Sequence, residues 1–249
     1  MGRLDGQIAV VFGASSGMGR ATALALAAEG AKVVAAARRE GPLAELAAQI
    51  AQQGGEGLAR VADVSVRADV EGVIQAAVDR YGRVDVLVNA AGINVRNRQM
   101  DVLTQASWDA IIATNLTGAF HCTQAVLPQM RQQQNGLIVH ITSVSGKWGD
   151  ISGAAYQASK HGMVGLAYAT MLEERQNGIR VTLIFPGLCD TPILKNRLVP
   201  VPPEKLAKAM QPEDIAAACV FVASLPPRTY VPELILMPGA LQCVGQASA

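Results

Sequence analysis

The chain has 249 residues, half of them hydrophobic, a length that suits one α/β domain with a full-sized core. Its formal net charge is +1 with no basic run or stripe, which argues against nucleic acid as a partner, and no apolar stretch reaches the ~18 residues a membrane span needs. Only 16% of the residues are charged, against about 25% in an average soluble domain, so much of the surface is expected to be buried, part of it between subunits.

Residues 1–7 are polar and lead straight into a strand-like run, which gives the expectation of no secretory signal and a cytoplasmic location. The cysteines (Cys122, Cys189, Cys219 and Cys243) lie far apart with no CxxC pair and read as reduced thiols. His121, His140 and His161 have no spacing that would put two on one helical face, so no metal site is expected.

In chain order, the first apolar run, Ile8–Phe12, reads as a strand. It ends in Phe12-Gly13-Ala14-Ser15-Ser16-Gly17-Met18-Gly19, with an Ala-rich helix following over 18–30. Such a turn lets the backbone approach a pyrophosphate closely, and the helix behind it presents free N–H groups and a positive dipole end. Ser15 and Ser16 add hydroxyl donors. The second strand, Lys32–Ala37, ends in Arg38-Arg39, with no acid before Glu40. An Asp or Glu about 20 residues beyond the glycine turn would hold a ribose 2′-hydroxyl. Two guanidiniums in that place can pair with a 2′-phosphate, which favours NADP(H) over NAD(H).

A helix over 42–53, a strand over 57–62, a helix over 67–81 and a strand over 84–88 come next. A long helix is predicted over 107–132, then a strand over 137–141 with Ser143 just past its end. The helix predicted over 153–177 opens with Tyr156-Gln157-Ala158-Ser159-Lys160, which puts Tyr156 and Lys160 one turn apart on one face. A phenol of reference pKa about 10 is a poor acid/base at neutral pH, and a nearby ammonium makes it usable. Ser143 falls at the carboxyl edge of the sheet, where open α/β folds bind ligands.

A strand over 180–185, a Pro-rich stretch over 188–212, a helix over 212–225 and a strand over 233–237 complete the chain. The strands are apolar at nearly every position, as expected when helices cover both faces of a sheet. The alternation predicts a doubly wound, Rossmann-like parallel sheet of about seven strands in a single domain, 1–249, with a substrate lid at about 188–211. Ile193, Leu194, Leu198 and Val199 in that lid predict a moderately hydrophobic pocket.

With these residues in order, the sequence resembles the short-chain dehydrogenase/reductase family over essentially its whole length. The matching segments are Gly13-x-x-x-Gly17-x-Gly19, Asp63-Val64, Asn89-Ala90-Ala91-Gly92, Asn115, Ser143, Tyr156-x-x-x-Lys160, and Pro186-Gly187 followed by Thr191. The resemblance implies an oxidoreductase that moves a hydride between a nicotinamide dinucleotide and an alcohol/carbonyl pair. It makes Tyr156 the general acid/base, with Ser143 polarising the substrate oxygen. Lys160 would bind the nicotinamide ribose and lower the Tyr156 pKa, and Asn115 would distort its helix and hold a water in a relay to Lys160. Gly13 to Gly19, Met18 included, would cradle the pyrophosphate, and Asp63 and Val64 would contact the adenine. Asn89 to Gly92 would line the cleft, and Pro186 to Thr191, including Gly187 and Cys189, would grip the carboxamide. Family members are commonly tetramers or dimers, which fits the low charge fraction.

The chain departs from the family in having Phe12 where Thr usually precedes the first glycine, and Cys189 where Val or Ile often stands. A buried thiol acting as a small hydrophobe is the simpler reading of Cys189.

The loops after Gly92 and Ser143 flank the mouth of such a site. Arg96, Arg98 or Lys147 could bind a substrate carboxylate or phosphate, and equally be solvated loop cations. Ser145 and Trp148 are further candidates for the substrate side. The expected substrate is a small secondary alcohol or ketone, such as a 3-oxoacyl or 3-hydroxy acid compound or a polyol. The C-terminal part resembles the branch with 3-hydroxy acid and serine-type dehydrogenases. Competing readings are an NAD(H)-linked alcohol dehydrogenase of the same family, a nucleotide-sugar epimerase, and a dinucleotide-sensing regulator without chemistry. The last would have lost Tyr156, Lys160 or Ser143.

Overall fold

In a computed structural model, which describes residues 2–242, the first strand (β1, Ile8–Phe12) is buried at every position. Its side chains alternate between the two faces of the sheet, so Ala9 and Val11 join one core cluster while Val10 and Phe12 join the other. The second strand (β2, Lys32–Ala37) repeats the pattern, with Val33, Ala35 and Ala37 on the first face and Val34 and Ala36 on the second. A strand whose two faces are both covered has no polar face to show.

The remaining elements are α1 (Gly17–Ala28), α2 (Glu40–Gln52), β3 (Gly57–Val61), α3 (Arg67–Tyr81), β4 (Val86–Asn89) and α4 (Gln105–Ile112). Then follow α5 (Gly118–Gln133), β5 (Gly136–Ile141), α6 (Ala154–Glu174), β6 (Ile179–Pro186), α7 (Pro203–Leu206), α8 (Pro212–Ser224) and β7 (Glu233–Leu236). The strands form one sheet in the order β3-β2-β1-β4-β5-β6-β7, with every pairing parallel. The order reverses between β1 and β4, and the crevice past the strand ends at such a switch point is where this architecture binds ligands.

The expectation of strands buried on both faces holds for the central strands and fails at the edges. Arg60 and Val61 on β3 are exposed, and so is Ile235 on β7. The helix expected over 107–132 is not continuous either. Between α4 and α5 the chain makes a wide π turn over Ala113–Thr117, centred on the buried Asn115. A turn of this kind often marks a functional position. The reading of Cys243 as a reduced thiol lies outside the described residues; Cys122, Cys189 and Cys219 are free and buried.

Candidate active site

The turn after β1 is shaped by close backbone approach. The N–H groups of Gly13 and Ala14 both donate to the Ala36 carbonyl, at 2.9 and 3.1 Å, and Ala90 N–H donates to the Phe12 carbonyl at 3.0 Å. Gly13 has φ +78°, and a β-carbon there would sit 2.7 Å from the Ala90–Ala91 backbone. A β-carbon on Gly19 would lie 2.4 Å from the Gly13 carbonyl oxygen. No larger residue fits either place. Phe12, wholly buried, fills the core below the turn.

Ser16 stands before α1 in extended conformation without capping it through its side chain, and the first turn of α1 carries no acid. The first N–H groups of α1 and the positive end of its dipole are thus left for an anion. The cradle opens into a cleft of about 440 Å³ lined by Ser15, Gly17, Met18, Arg38, Arg39 and Asp63, among others. Val64, Ala90, Gly92, Lys160 and Thr191 continue the lining towards Tyr156. Arg39 donates to Ser15 Oγ at 2.9 Å and to Ser16 Oγ at 2.8 Å, so its guanidinium sits directly over the turn. Arg38 stands 3.8 Å from Asp63, its side chain 59% exposed. A space with glycine backbone, uncapped helix N–H groups and two guanidiniums fits the phosphates of a dinucleotide.

At the far end of the cleft, β5 and α6 bring three side chains together. Ser143 is extended two residues past the end of β5, and its hydroxyl oxygen accepts from Ser145 N–H at 3.1 Å. Tyr156 lies in the first turn of α6 and Lys160 one turn later. Burial pushes the Tyr156 phenol up to about 12, and Asp150 adds to the push. The Ser143 hydrogen bond and the Arg98 and Arg197 guanidiniums oppose it. Lys160 is not among the groups that pull the phenol down. Its Nζ donates to the Ile141 carbonyl at 3.1 Å, 5.6 Å from the Tyr156 ring centre. Burial lowers the Lys160 ammonium to about 8.

Asn115, in the π turn, clasps the Ile93 backbone: its Oδ1 accepts from Ile93 N–H at 2.8 Å and its Nδ2 donates to the Ile93 carbonyl at 3.0 Å. Asn115 Oδ1 and Lys160 Nζ both lie 3.6 Å from where a β-carbon on Gly92 would stand, so the two groups flank one point of the cleft wall. Asn89 is buried beneath the cleft, where its Oδ1 accepts from Ala91 N–H and its amide faces His140. His140 is buried and pulled down to about 4 by that burial, with Lys160 adding to it, which leaves it neutral.

A second, smaller recess of about 80 Å³ adjoins the cleft and shares Met18, Thr142, Tyr156, Thr191 and Ile193 with it. Ser143, Ser145, Arg98, Pro186, Gly187 and Cys189 line it. Burial pushes the Cys189 thiol up to about 12, so it stays protonated and packs as a small hydrophobe. Of the substrate-side candidates, Ser145 and Arg98 reach this recess. The others line neither space. Arg96 is exposed, and Trp148 packs against the core beside β6. Lys147 pairs with Glu233 at 2.6 Å and stands 4.5 Å over the Phe185 ring, on the β7 side of the sheet. In the segment over 188–211, Ile193 and Leu194 turn into the recess, whereas Leu198 is exposed and Val199 is 75% exposed. Only half of the expected apolar lining is therefore provided. Asn94, Asp150, Ser152 and Arg197 also line the recess, and no motif in the sequence marks them.

Among the described residues no helix is long and apolar enough to cross a membrane, and no cluster of His, Cys, Asp and Glu could hold a metal ion. Fold and cleft together define a dinucleotide-binding oxidoreductase domain. The model of the short chain dehydrogenase family matches residues 7–199. The chain is 38% identical to a 3-oxoacyl-[acyl-carrier-protein] reductase of Synechocystis sp., over 93% of this chain and 94% of that one. Among solved structures, levodione reductase superposes with a TM-score of 0.88 at 32% identity, covering 95% of this chain and 98% of that chain. A metagenomic short-chain oxidoreductase in complex with NADP does so with a TM-score of 0.83 at 33% identity, with the same coverage. This chain belongs to the short-chain dehydrogenase family and is an NAD(P)-dependent oxidoreductase.

Proposed function

We propose that the protein interconverts a secondary alcohol and a ketone with NADP(H), using Tyr156 as general acid/base. One observation carries the reading: Tyr156 is the ionisable side chain that lines both the dinucleotide cleft and the recess beside it. A nicotinamide bound in the cleft supplies or takes up the hydride. In reduction Tyr156 gives its phenolic proton to the substrate oxygen; in oxidation it takes the alcohol proton. Ser143, which lines the recess with the phenol, holds the same oxygen and steadies charge as it develops there. Lys160 binds the ribose hydroxyls, and Asn115 holds the turn and a water in a relay to it. Gly13, Ser15, Ser16, Gly17, Met18 and Gly19 receive the pyrophosphate, Asp63 and Val64 the adenine, and Pro186, Gly187, Cys189 and Thr191 the carboxamide. Asn89, Ala90 and Gly92 form the wall between them.

NADP(H) is favoured because Arg38 and Arg39 both line the cleft, where two guanidiniums can pair with a 2′-phosphate, and a relative of the same fold is known in complex with NADP. NAD(H) is the competing reading, since Asp63 sits beside Arg38 and Arg39 is engaged by Ser15 and Ser16. Parallel fluorescence titrations with NADPH and NADH decide between them. Tighter binding of NADPH is expected; the reverse order would leave the fold and Tyr156 in place and reduce both arginines to surface charges.

The segment over 188–211 acts as a lid whose base is tied: Asp190 N–H donates to the Met210 carbonyl at 2.8 Å and Met210 N–H to the Leu188 carbonyl at 3.1 Å. Exposed Phe120, Leu172 and Phe221 on α5, α6 and α8 support a homo-oligomer, a tetramer or dimer; a cytoplasmic location is part of the same proposal.

A further inference from the structure

We propose that the recess beside Tyr156 is built for a carboxylate, held by Arg98 and Arg197, so that the substrate is a short oxo acid or the matching hydroxy acid. The proposal rests on the reading of Tyr156 as acid/base and specifies what that side chain acts upon.

Both arginines line the recess with Tyr156 and Ser143. Each is half-buried, and among the described residues neither guanidinium has an ion-pair or hydrogen-bond partner. A guanidinium removed from water without a planar acceptor is costly, and a carboxylate is the acceptor its fork fits. Burial depresses both guanidiniums from their ordinary value, Arg98 beside Arg197 adding to the effect on the latter.

Their convergence comes from three loops stitched together. Asn94 Nδ2 donates to the Ser152 carbonyl at 3.0 Å, and Asn196 Nδ2 donates to the Asn94 carbonyl at 2.9 Å. The loop before α6 packs directly on Arg98, since a β-carbon on Gly153 would lie 2.5 Å from the Arg98 carbonyl oxygen. The loop after β4, the loop before α6 and the start of the lid thus hold both guanidiniums at one rim. Asp150 is the opposing charge. Its oxygens accept from Ser145 Oγ and, at 2.8 Å, from Ser152 N–H. With Tyr156 neutral, two guanidiniums against one carboxylate leave a net positive recess. Its volume of about 80 Å³ admits only a small ligand, which suits a short oxo acid.

Calorimetry on the full chain loaded with NADP⁺ tests this without turnover, because an oxidised cofactor and a ketone cannot react. The probes are 2-oxobutanoate, 3-oxobutanoate and 4-oxopentanoate, each against its methyl ester. At least one acid is expected to bind about ten- to a hundredfold tighter than its ester, the range for losing a charged hydrogen-bonded contact. Arg98→Gln and Arg197→Gln should each erase most of that preference, and Arg197→Lys should keep part of it. An unchanged NADP⁺ dissociation constant in the variants reports that they fold. Equal affinity for every acid and its ester in the unaltered protein overturns the proposal, as does a preference that survives both Gln substitutions. NADPH oxidation by a neutral ketone, measured separately, reads the oxidoreductase assignment. Turnover of the ketone with no acid preference removes the arginine pair alone. An acid preference with no turnover of any ketone or oxo acid keeps the pair and removes the acid/base reading.

Discussion

The two ends of the ligand-binding crevice are built differently. The dinucleotide end is made of backbone: a turn that only glycine fits at Gly13 and Gly19, an uncapped helix N-terminus, and strand ends fixed by the sheet register. The recess beyond Tyr156 is made of side chains from three separate loops, joined by Asn94 and Asn196 and carrying Arg98, Arg197 and Asp150. Backbone geometry constrains which residues can stand at a position, so it leaves a motif. Loop side chains are free to vary with the ligand, so they leave none. A fold can therefore keep one cofactor and change substrates by altering only the second end.

The sharpest way to break the comparison is at the junction. Tyr156→Phe removes the proton but keeps the ring that lines both spaces. Turnover is expected to fall by about 10²- to 10⁴-fold, the usual worth of a positioned acid/base, while NADP(H) affinity changes little. Steady-state rates and a cofactor titration on the same preparation check it. Residual turnover near the unaltered level would take the acid/base role from Tyr156 and leave the two ends unlinked.

A smaller effect isolates the dinucleotide end. Arg38→Ala combined with Arg39→Ala should raise the NADPH dissociation constant by about ten- to a hundredfold, the loss of one or two charge-assisted contacts. The NADH constant should hardly move, because NADH has no 2′-phosphate to lose. If both constants rise together, Arg39 acts instead by holding Ser15 and Ser16, which it contacts at 2.9 and 2.8 Å. The arginines would then belong to the turn and not to cofactor choice.

The same division decides what was legible before the structure. Strand runs such as Ile8–Phe12 and Lys32–Ala37 read directly, because a strand covered on both faces must be apolar throughout. The edge strands were legible as strands but not as edges: the charge of Arg60 hints at solvent, but nothing local says that Val61 faces it. The break at Ala113–Thr117 is invisible to periodicity, because the residues on both sides are helical; only the family resemblance points to a distortion at Asn115, whose side chain bonds to a backbone 22 residues away. Lys147 and Arg98 look alike in sequence as loop cations near Ser143 and Gly92. One is drawn off by Glu233, 86 residues on, and the other faces Tyr156. Arg197 and Asp150 became readable only when the loops were placed side by side.

Asp150 gives the finest test of the second end, because it is the charge that limits it. Asp150→Asn retains an oxygen for Ser152 N–H, and the Ser145 hydroxyl can turn to accept from the new amide. Removing one like charge a few ångströms from a bound carboxylate is worth about 1 kcal/mol in a partly solvated recess, or roughly threefold to tenfold in affinity. The oxo acid that binds best should therefore bind tighter by that factor, and its methyl ester should be unaffected. An equal gain for acid and ester would mean that the substitution reshaped the recess instead of its charge. No gain for the acid would place the carboxylate away from Asp150, and with it away from the rim that Arg98 and Arg197 share.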